Sequence, residues 1–530
     1  MSTCDETTAE RWWIDVRRLH IDLCAADVHA ALYADDSRSF WLDSNSGDER
    51  SAISVLGTLD GVHAHVLSYR AGESHTTRIA VDGSSEQVEG DLLHVAETQL
   101  TRFATGRPPP AVGGFCLGYI GYLGYGLKAS TCGVADWTPS DMPDGLLTFA
   151  ERAIVFDHVS GEVQLLALRS EGADKTLDAA SRLWMRRTTR TLLTLAATSS
   201  VSSGRRLRKQ EQQERGLSPA ESRDGASSQT CALPDDATLQ AAFGFRHDRE
   251  CYMERVQTSQ RHIAAGDSYE VCLTNMAEYP VSVDPVSTYQ RLRELSRVPY
   301  GALLRCGDFS VLSASPECFL TIDENRTVET RPIKGTSPRG ATPLQDAQRR
   351  EDLFSSEKER AENLMIVDLM RNDLSRVCRP ETVRVPRLFA VESFPGVHQL
   401  ISTVRAELRD DCTAFDCIRA TFPAGSMTGA PKRRTMQIID ELEGGPRGVY
   451  AGALGWLSPN GTVSLSVVIR TIVVEPHRAT FGVGGAITQL SQAADEYAET
   501  LVKARVLGAA LLQSGLSDPA ESPRPRRRSS

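Results

Sequence analysis

The sequence YAGALGWLSPNGTVSLSVVIRTIVV, residues 450–474, is the stretch from which the fold class can be predicted. Its two apolar runs, Tyr450–Leu457 and Thr462–Val474, are rich in residues that favour strands, and they flank Asn460-Gly461. An Asn-Gly pair between two such runs indicates a β-hairpin, because both residues tolerate the positive φ angles of a tight turn. The stretch therefore predicts two antiparallel strands.

The residues upstream of this hairpin add helices to the predicted sheet. Tyr252, Val256 and Ile263 share a helical face and Gly266 ends the pattern, which predicts a helix. Residues 268–279, SYEVCLTNMAEY, alternate as in a strand. An antiparallel sheet with long helices is the expected arrangement.

The composition of the chain changes abruptly at two places. At about 100–200 residues per domain, a chain of 530 residues has room for several domains. Residues 198–236 are dominated by Ser, Gln, Arg, Glu and Gly, which bury too little apolar surface to offset the entropy of ordering. We therefore expect an N-terminal part of the fold at 1–197, a flexible low-complexity insertion at 198–236, a catalytic domain at 237–515 and a disordered tail at 516–530.

Charge and composition argue against several classes of protein. A net charge of −10 gives no general attraction for nucleic acid or for anionic membranes. No stretch approaches the roughly 18 apolar residues of a membrane helix, and Met1–Arg11 does not resemble a signal peptide. The 12 cysteines form no C-x-x-C pair, which favours reduced thiols. These features predict a cytoplasmic protein without nucleic-acid or membrane partners.

The glycine-rich segment GGFCLGYIGY, residues 113–122, places Cys116 between glycines, as in the nucleophile turn of class I glutaminases. That turn also requires a His-Gln pair after its second glycine, whereas Tyr119-Ile120 stands here. The segment is therefore interpreted as a packed strand whose glycines admit a close neighbour. Since no other cysteine has a glutaminase setting, nitrogen taken from glutamine would have to be released by a separate chain.

Glu317 and Lys334 are the first candidates for chemistry. The lysine lies within PIKGT at 332–336, where partial desolvation would lower its pKa and make the amine a nucleophile or a base. A surface lysine in a turn is the alternative that these residues alone leave open.

Two pairs of glutamates are each spaced one helical turn apart. Glu359 and Glu362 precede the apolar run Leu364–Val367, and Glu496 and Glu499 lie in a later predicted helix. Carboxylates at the edge of a hydrophobic core carry a desolvation cost unless they bind a cation or a proton. Mg²⁺ prefers such oxygen ligands, although an exposed acidic helix face remains the alternative.

The segment FPAGSMTGAPKRRTMQIIDELEGG, residues 422–445, predicts a helix from Pro431 to Glu443 with Thr428 or Gly429 as its cap. Its N-terminus, with Ser426 and Lys432 nearby, is a candidate site for a carboxylate or a phosphate.

The segment FGVGGAIT, residues 481–488, places Gly482, Gly484 and Gly485 in an expected turn between a strand and a helix. A dinucleotide fingerprint would need a further glycine where Ile487 stands. Bare backbone N–H groups that face an anion fit this spacing better.

The motifs ENLMIVDLMRND at 362–373, GSMTGAPK at 425–432, GALGWL at 452–457 and EYAET at 496–500 resemble those of the chorismate-utilising enzymes. This family includes anthranilate, aminodeoxychorismate, isochorismate and salicylate synthases. The resemblance covers most of Phe243–Gln513 and, more loosely, the N-terminal half. It implies an α/β fold of the α+β type, with two large antiparallel β-sheets packed face to face, helices outside and the active-site cleft between the sheets.

Within the family, PIKGT resembles component I of aminodeoxychorismate synthases, which serve 4-aminobenzoate and folate biosynthesis, whereas PIAGT is typical of anthranilate synthases, the alternative. The resemblance implies that Lys334 attacks C2 of chorismate and that Glu317 protonates the departing 4-hydroxyl. Ammonia from a glutaminase (amidotransferase) partner subunit would then displace the lysine. Thr336 completes the implied catalytic residues.

The resemblance also implies a Mg²⁺ cofactor, bound by Glu362 and Glu499 with Glu359 and Glu496 beside them. The implied substrate-binding residues are Tyr450, Arg470, Gly425, Ser426, Thr428, Gly484, Gly485 and Lys503.

Two positions depart from the family pattern. Gln399 stands where several members have a histidine, so a general base at that position is not supported. Residues 296–300, SRVPY, differ from the NPSPY motif near the tryptophan pocket of the family, so feedback binding of tryptophan is not supported either. A structural relic of that pocket is expected, if anywhere, near Ser44.

Overall fold

A computed structural model of the chain describes residues 12–44, 53–103, 113–135, 138–171, 174–214, 233–394 and 396–514. The strands in these ranges are β1 (Trp12–Leu19), β2 (Ser39–Asp43), β3 (Ile53–Thr58), β4 (His65–Tyr69), β5 (His75–Ala80), β6 (Ser85–Glu89), β7 (Gly118–Leu123), β8 (Gly145–Ala150), β9 (Arg152–Asp157), β10 (Val163–Ser170), β11 (Gly244–Phe245), β12 (Glu270–Tyr279), β13 (Tyr300–Arg305), β14 (Ser310–Ser315), β15 (Cys318–Ile322), β16 (Thr327–Arg331), β17 (Ile333–Pro338), β18 (Arg384–Ser393), β19 (Val397–Glu407), β20 (Gly429–Ala430), β21 (Ala453–Leu457), β22 (Val463–Val467), β23 (Thr471–Val474) and β24 (Ala479–Ile487). The α-helices are α1 (Ala25–Leu32), α2 (Leu92–Arg102), α3 (Lys128–Cys132), α4 (Lys175–Glu214), α5 (Asp236–Ala242), α6 (Arg249–Ala264), α7 (Pro285–Leu295), α8 (Pro343–Ser355), α9 (Glu357–Ser375), α10 (Ala414–Thr421), α11 (Lys432–Glu443) and α12 (Ala493–Ser514).

The strands of the described ranges form two 12-stranded sheets. The first has the order β1-β10-β9-β3-β2-β13-β14-β23-β24-β12-β11, with β20 beside β12. The second has the order β17-β19-β16-β15-β22-β21-β7-β8-β4-β5-β6, with β18 beside β19. Neighbouring strands run antiparallel. The predicted fold class, two large antiparallel sheets with helices, is confirmed.

Both halves of the chain contribute to both sheets. In the first sheet β2 pairs with β13, and in the second β7 pairs with β21. The segments 1–197 and 237–515 therefore share one fold. Residues 198–214 of the predicted flexible insertion are helical, since α4 continues to Glu214. Residues 215–232 and the predicted tail at 516–530 lie outside the described residues.

The main core lies between the sheets. Phe40 and Val55 of the first sheet pack in one cluster with Tyr119 and Leu147 of the second. Because side chains alternate along a strand, the other face of the first sheet is free to pack a second cluster against helices such as α7 and α12. In the described ranges, no helix combines the length and the apolar composition that a membrane crossing would need.

The hairpin predicted at Asn460-Gly461 is confirmed, but its second strand is not a single strand. Leu457 pairs with Val463 across the turn, where Gly461 has a φ of 84°. The predicted run Thr462–Val474 divides into β22, in the second sheet, and β23, in the first. Arg470 lies at the break with a φ of 50°, so the chain changes sheets at this residue.

A second crossing between the sheets runs beside the first. The chain leaves the first sheet at the end of β14 and enters the second at β15, with Glu317 between them. The Ala314 N–H donates to the Arg470 carbonyl at 3.0 Å, and the Val467 N–H donates to the Glu317 carbonyl at 3.0 Å. Glu317 and Arg470 therefore stand on neighbouring segments at the boundary between the sheets.

The helices and strands predicted around this boundary are largely confirmed. α6 and β12 occupy the segments predicted from 252–266 and 268–279. The helix predicted from Pro431 begins instead at Lys432, with Pro431 as its N-cap and without a side-chain capping bond. Thr428 and Gly429 are therefore not its caps, because the chain from Gly425 to Ala430 forms a 3₁₀ turn and a short strand.

A buried ion pair connects α11 to β12 and to the segment 425–432. Glu443 and Arg447 are almost fully buried, with an N–O distance of 2.7 Å. Glu443 also accepts from the Thr274 N–H at 2.7 Å, while Arg447 donates to the Met427 and Cys272 carbonyls, each at 2.7 Å. The pair thus connects α11, β12 and the GSMTGAPK segment.

We expect Glu443→Gln to lower the free energy of unfolding by about 3–5 kcal/mol, because it leaves the Arg447 charge buried without a counter-ion. Urea denaturation at neutral pH measures the change. The control is Glu441→Gln on the exposed side of the same helix, which should shift stability by no more than about 0.5 kcal/mol. Equal effects of the two substitutions would contradict the role of the pair.

Candidate active site

A bulge in β17 directs the Lys334 side chain into the interior of the protein. The pairing of β17 with β19 is irregular between Ile333 and Thr336, and Gly335 adopts a φ of 85° that suits glycine. Lys334 is buried, whereas Thr336 is exposed and pairs with Gln399. The structure therefore separates Thr336 from the buried side of the strand that carries Lys334.

Lys334 forms a buried ion pair with Glu270 of β12, on the opposite sheet. Its Nζ donates to Glu270 Oε1 at 2.6 Å, and both side chains are at least nine-tenths buried. Burial by itself would lower the pKa of Lys334, but the carboxylates of Glu270 and Glu362 outweigh it and raise that pKa above its ordinary value. The predicted depression of the Lys334 pKa is therefore wrong, because the residues around Lys334 do not reveal its ion-pair partner Glu270. A charged residue in the alternating strand at 268–279 was the available signal.

Glu317 has the protonation behaviour of an acid that is useful near neutrality. Burial raises its pKa to about 7, although the Ser426 hydroxyl and the Lys334 ammonium act in the opposite direction. The Ser426 hydroxyl is itself buried and lacks a hydrogen-bond partner of good geometry among the described residues. Glu317 thus lies near Lys334 and the 3₁₀ turn Gly425–Met427, as expected from the motifs.

The two predicted glutamate pairs come together where α9 meets α12. Lys358 Nζ lies 3.5 Å from Glu496 Oε1 and 3.9 Å from Glu362 Oε1, which joins the helices. Burial raises the pKa of Glu362 to about 7, and it raises that of Glu359 as well. Within the ranges that the structure describes, no three His, Cys, Asp or Glu side chains are arranged to hold a metal ion. The carboxylates face ammonium groups instead.

Besides Lys358, a second lysine, Lys503, lies among these glutamates. It lies 2.7 Å from Glu499 Oε1 and donates to the Gly484 carbonyl at 2.7 Å. Although burial acts to raise the pKa of Glu499, Lys503 contributes most to holding it below its usual value.

The glycines of β24 do not form the expected turn, because they lie inside the strand. A Cβ at Gly484 would lie 2.4 Å from the Leu273 carbonyl, so glycine permits the close approach of β12. A Cβ at Gly485 would lie 3.0 Å from Glu496 Oε2, which places this glycine beside the carboxylates. At Gly482 a Cβ would meet the Tyr450 ring at 2.2 Å, so the ring packs flat on the strand.

Arg470 is the candidate carboxylate-binding group with the clearest setting. Burial lowers its pKa, and no described residue supplies an ion-pair partner. Its left-handed backbone costs roughly 1–2 kcal/mol for a non-glycine residue, and strain of this kind is concentrated at functional sites.

The remaining anion-binding candidates are only partly supported. The Thr428 hydroxyl donates to the Ala424 and Gly425 carbonyls, so it stabilises its own turn. Lys432, expected near a bound anion, is held by Asp373 at 2.6 Å and by the Thr421 and Pro423 carbonyls. Its role is therefore structural.

Two further sequence interpretations concern other parts of the fold. Cys116 is buried just before β7, and burial raises its pKa to about 12, which opposes a thiolate nucleophile. Ser44 donates to the Pro299 carbonyl at 2.8 Å and lines a cavity of about 320 Å³ between the sheets. Neither Lys334 nor Glu317 lines this cavity.

Comparison with known proteins shows which proteins this chain is similar to. The family model described as chorismate binding enzyme matches residues 39–508. The chain is 42% identical to an aminodeoxychorismate synthase of Streptomyces griseus, over 90% of the chain but only 61% of that relative's length. It is 34% identical to aminodeoxychorismate synthase component 1 of Salmonella typhimurium, over 87% of the chain and 90% of the relative. Anthranilate synthase component I of Streptococcus pneumoniae TIGR4 superimposes with a TM-score of 0.65 and 27% identity, covering 87% of this chain and 92% of that one.

The raised pKa of Glu317 makes stability depend on pH. The contribution of protonated Glu317 to the free energy of unfolding is fully present below pH 4.5, the ordinary pKa of a glutamate. It is lost as the pH rises through about 7, the pKa of Glu317 in the folded protein. Relative to the wild type, Glu317→Gln should therefore gain roughly 2–3 kcal/mol in the free energy of unfolding between pH 5 and pH 8. Denaturant unfolding at both pH values measures this gain. The exposed Glu324→Gln serves as the control, and a similar gain there would refute the assignment to Glu317.

Proposed function

The chain belongs to the family of chorismate binding enzymes, and we propose that it converts chorismate and ammonia into 4-amino-4-deoxychorismate. The observation that carries the proposal is the buried Lys334, whose amine lies near the neutral-pH acid Glu317. A nucleophile and a proton donor in one buried site are what two successive allylic displacements require.

In the proposed reaction, the Lys334 amine attacks C2 of the ring while the C4–O bond breaks. Glu317 gives its proton to the departing hydroxyl, which leaves as water. Ammonia then adds at C4, the C2–N bond to Lys334 breaks, and the enolpyruvyl ether is retained. A pKa of about 7 allows Glu317 to donate a proton in one step and to accept one in the other.

Arg470 and Tyr450 would position the substrate. The partly buried guanidinium of Arg470 would form a bidentate pair with a substrate carboxylate, which would also supply its missing counter-ion. The Tyr450 ring lies against Gly482 of β24, the strand that also carries Gly484 and Gly485. Gly425 and Ser426 would border the substrate from the adjacent 3₁₀ turn.

A Mg²⁺ ion is part of the proposal. Glu362 and Glu499 would bind it, with Glu359 and Glu496 beside them. The support is the buried Glu362 Oε1, which has no hydrogen-bond partner among the described residues, and the lysine ammonium groups that stand among these carboxylates. Bound there, Mg²⁺ would neutralise the ring carboxylate and make the ring more electrophilic.

We propose that the ammonia is released by a glutaminase on a separate chain. The support is that Cys116 lacks the sequence setting of a glutaminase nucleophile and that the Salmonella relative is called component 1. Folate biosynthesis is the use that this product would serve.

The decisive prediction concerns the product and Lys334. With chorismate, Mg²⁺ and ammonium, the wild type should yield 4-amino-4-deoxychorismate, identified by mass spectrometry. Lys334→Ala should reduce kcat by orders of magnitude and change KM little, because the covalent bond forms only after binding. Lys175→Ala, an exposed change at the start of α4, should retain activity. Anthranilate and pyruvate as wild-type products would establish anthranilate synthase instead.

A further prediction concerns the metal. Removal of Mg²⁺ with EDTA should abolish turnover, and Glu499→Gln should weaken Mg²⁺ binding measured by calorimetry because a charged ligand becomes neutral. Asp495→Asn, an exposed change on the same helix, should leave binding unaltered. Full turnover in EDTA would remove the metal from the proposal.

A further inference from the structure

The contact between Glu270 and Lys334 suggests a role for a residue that the motifs do not include. We propose that Glu270 is the catalytic base that takes a proton from the Lys334 ammonium before attack and returns it when the lysine departs. This inference rests on the proposed function, since it concerns how the nucleophile of that reaction becomes available.

The geometry suits direct proton transfer. Lys334 Nζ and Glu270 Oε1 are 2.6 Å apart, a distance typical of a strong charge-assisted hydrogen bond. The pair is buried, so bulk water does not compete for the proton at this contact. Glu270 Oε2 is also buried and has no hydrogen-bond partner among the described residues. The carboxylate can therefore accept a proton without losing another hydrogen bond.

The chemistry requires such a base. The raised pKa of Lys334 means that its resting form is the ammonium, which has no lone pair for attack. Glu317 is unsuited to take this proton, because the same step needs it protonated as the acid. The neighbouring Cys272 is a neutral thiol, since burial raises its pKa. The other ionisable groups whose charge acts on Lys334 or is acted on by it are Glu362, Glu359, Glu499 and Glu317.

The protons balance over the cycle. Glu270 takes one proton from Lys334, and the freed amine forms the bond to C2 as the hydroxyl leaves with the proton of Glu317. The ring-bound lysine nitrogen is then a secondary ammonium, which leaves as a neutral amine when ammonia adds at C4. Glu270 returns its proton to this amine, and Glu317 takes one from the new ammonium at C4. Both carboxyl groups are thus restored.

The test compares Glu270→Gln with the wild type. Glutamine keeps a hydrogen-bonding oxygen but cannot serve as the base, so kcat should fall by roughly 10²–10⁴-fold at pH 7 while KM changes little. Lys334 must then lose its proton to solvent. As long as Lys334 is still an ammonium in the variant, the ratio of variant to wild-type kcat should therefore rise about tenfold per pH unit, up to a plateau set by the Lys334 pKa, which the loss of Glu270 lowers. In this ratio the titration of Glu317 cancels.

The controls separate a chemical role from a structural one. Glu278→Gln, a partly exposed position near the other end of the same strand, should leave kcat unchanged. Circular dichroism and thermal unfolding measure whether Glu270→Gln is folded. If it is not, Glu270→Asp carries the test, because it keeps a carboxylate: its kcat should be lower, but its ratio to the wild type should not depend on pH.

The outcomes also distinguish this inference from the proposed function. A Glu270→Gln kcat within about threefold of the wild type, or a ratio that does not change with pH, would overturn the role of Glu270 while the wild type still makes 4-amino-4-deoxychorismate. A ratio for Glu270→Asp that climbs with pH would overturn it as well. Failure of the wild type to form that product would instead refute the proposed function.

Discussion

The candidate active site depends on one constraint: the chain changes sheets twice at adjacent positions. β14 and β23 pair in the first sheet, while β15 and β22 pair in the second, so the two connecting segments must run side by side. A segment that leaves one sheet for another cannot keep the regular ladder of either, and its side chains reach the space between them. Glu317 and Arg470 occupy these segments, which is how a mostly apolar interface accommodates an acid and a guanidinium.

The same boundary explains why Lys334 is charged although it is buried. Lys334 belongs to the second sheet and Glu270 to the first, so the ion pair forms only when the sheets are packed together. Each group offsets much of the desolvation cost of the other. Glu317, close to the same ammonium, still has a raised pKa because burial is the larger effect. Glu317 can thus hold a proton near neutral pH beside a charged lysine, and this suits the role of an acid.

The sequence predicted those features that depend on local pattern. The hairpin, α6, β12 and the approximate extent of α11 follow from turn residues and periodicity, and the motif residues Lys334, Glu317 and Glu362 do lie near one another. The break at Arg470 was missed because apolar residues on both sides suit a buried strand in either sheet. The Glu270 contact and the structural role of Lys432 were missed because partners distant in sequence leave no local signal.

The carboxylates between α9 and α12 outnumber the lysines that pair with them, and this excess of negative charge makes the proposed cation necessary for binding of the proposed substrate. Among the described residues, Glu362, Glu496 and Glu499 share two lysines, Lys358 and Lys503, in their ion pairs, while Lys334 is paired with Glu270. A substrate with two carboxylates would approach this surplus of negative charge unfavourably. In the proposed reaction a divalent cation removes that repulsion, and the cationic Arg470 receives a carboxylate away from the glutamates. The cation would therefore have to bind before the substrate or together with it, because neither lysine can both neutralise its glutamates and attract the substrate.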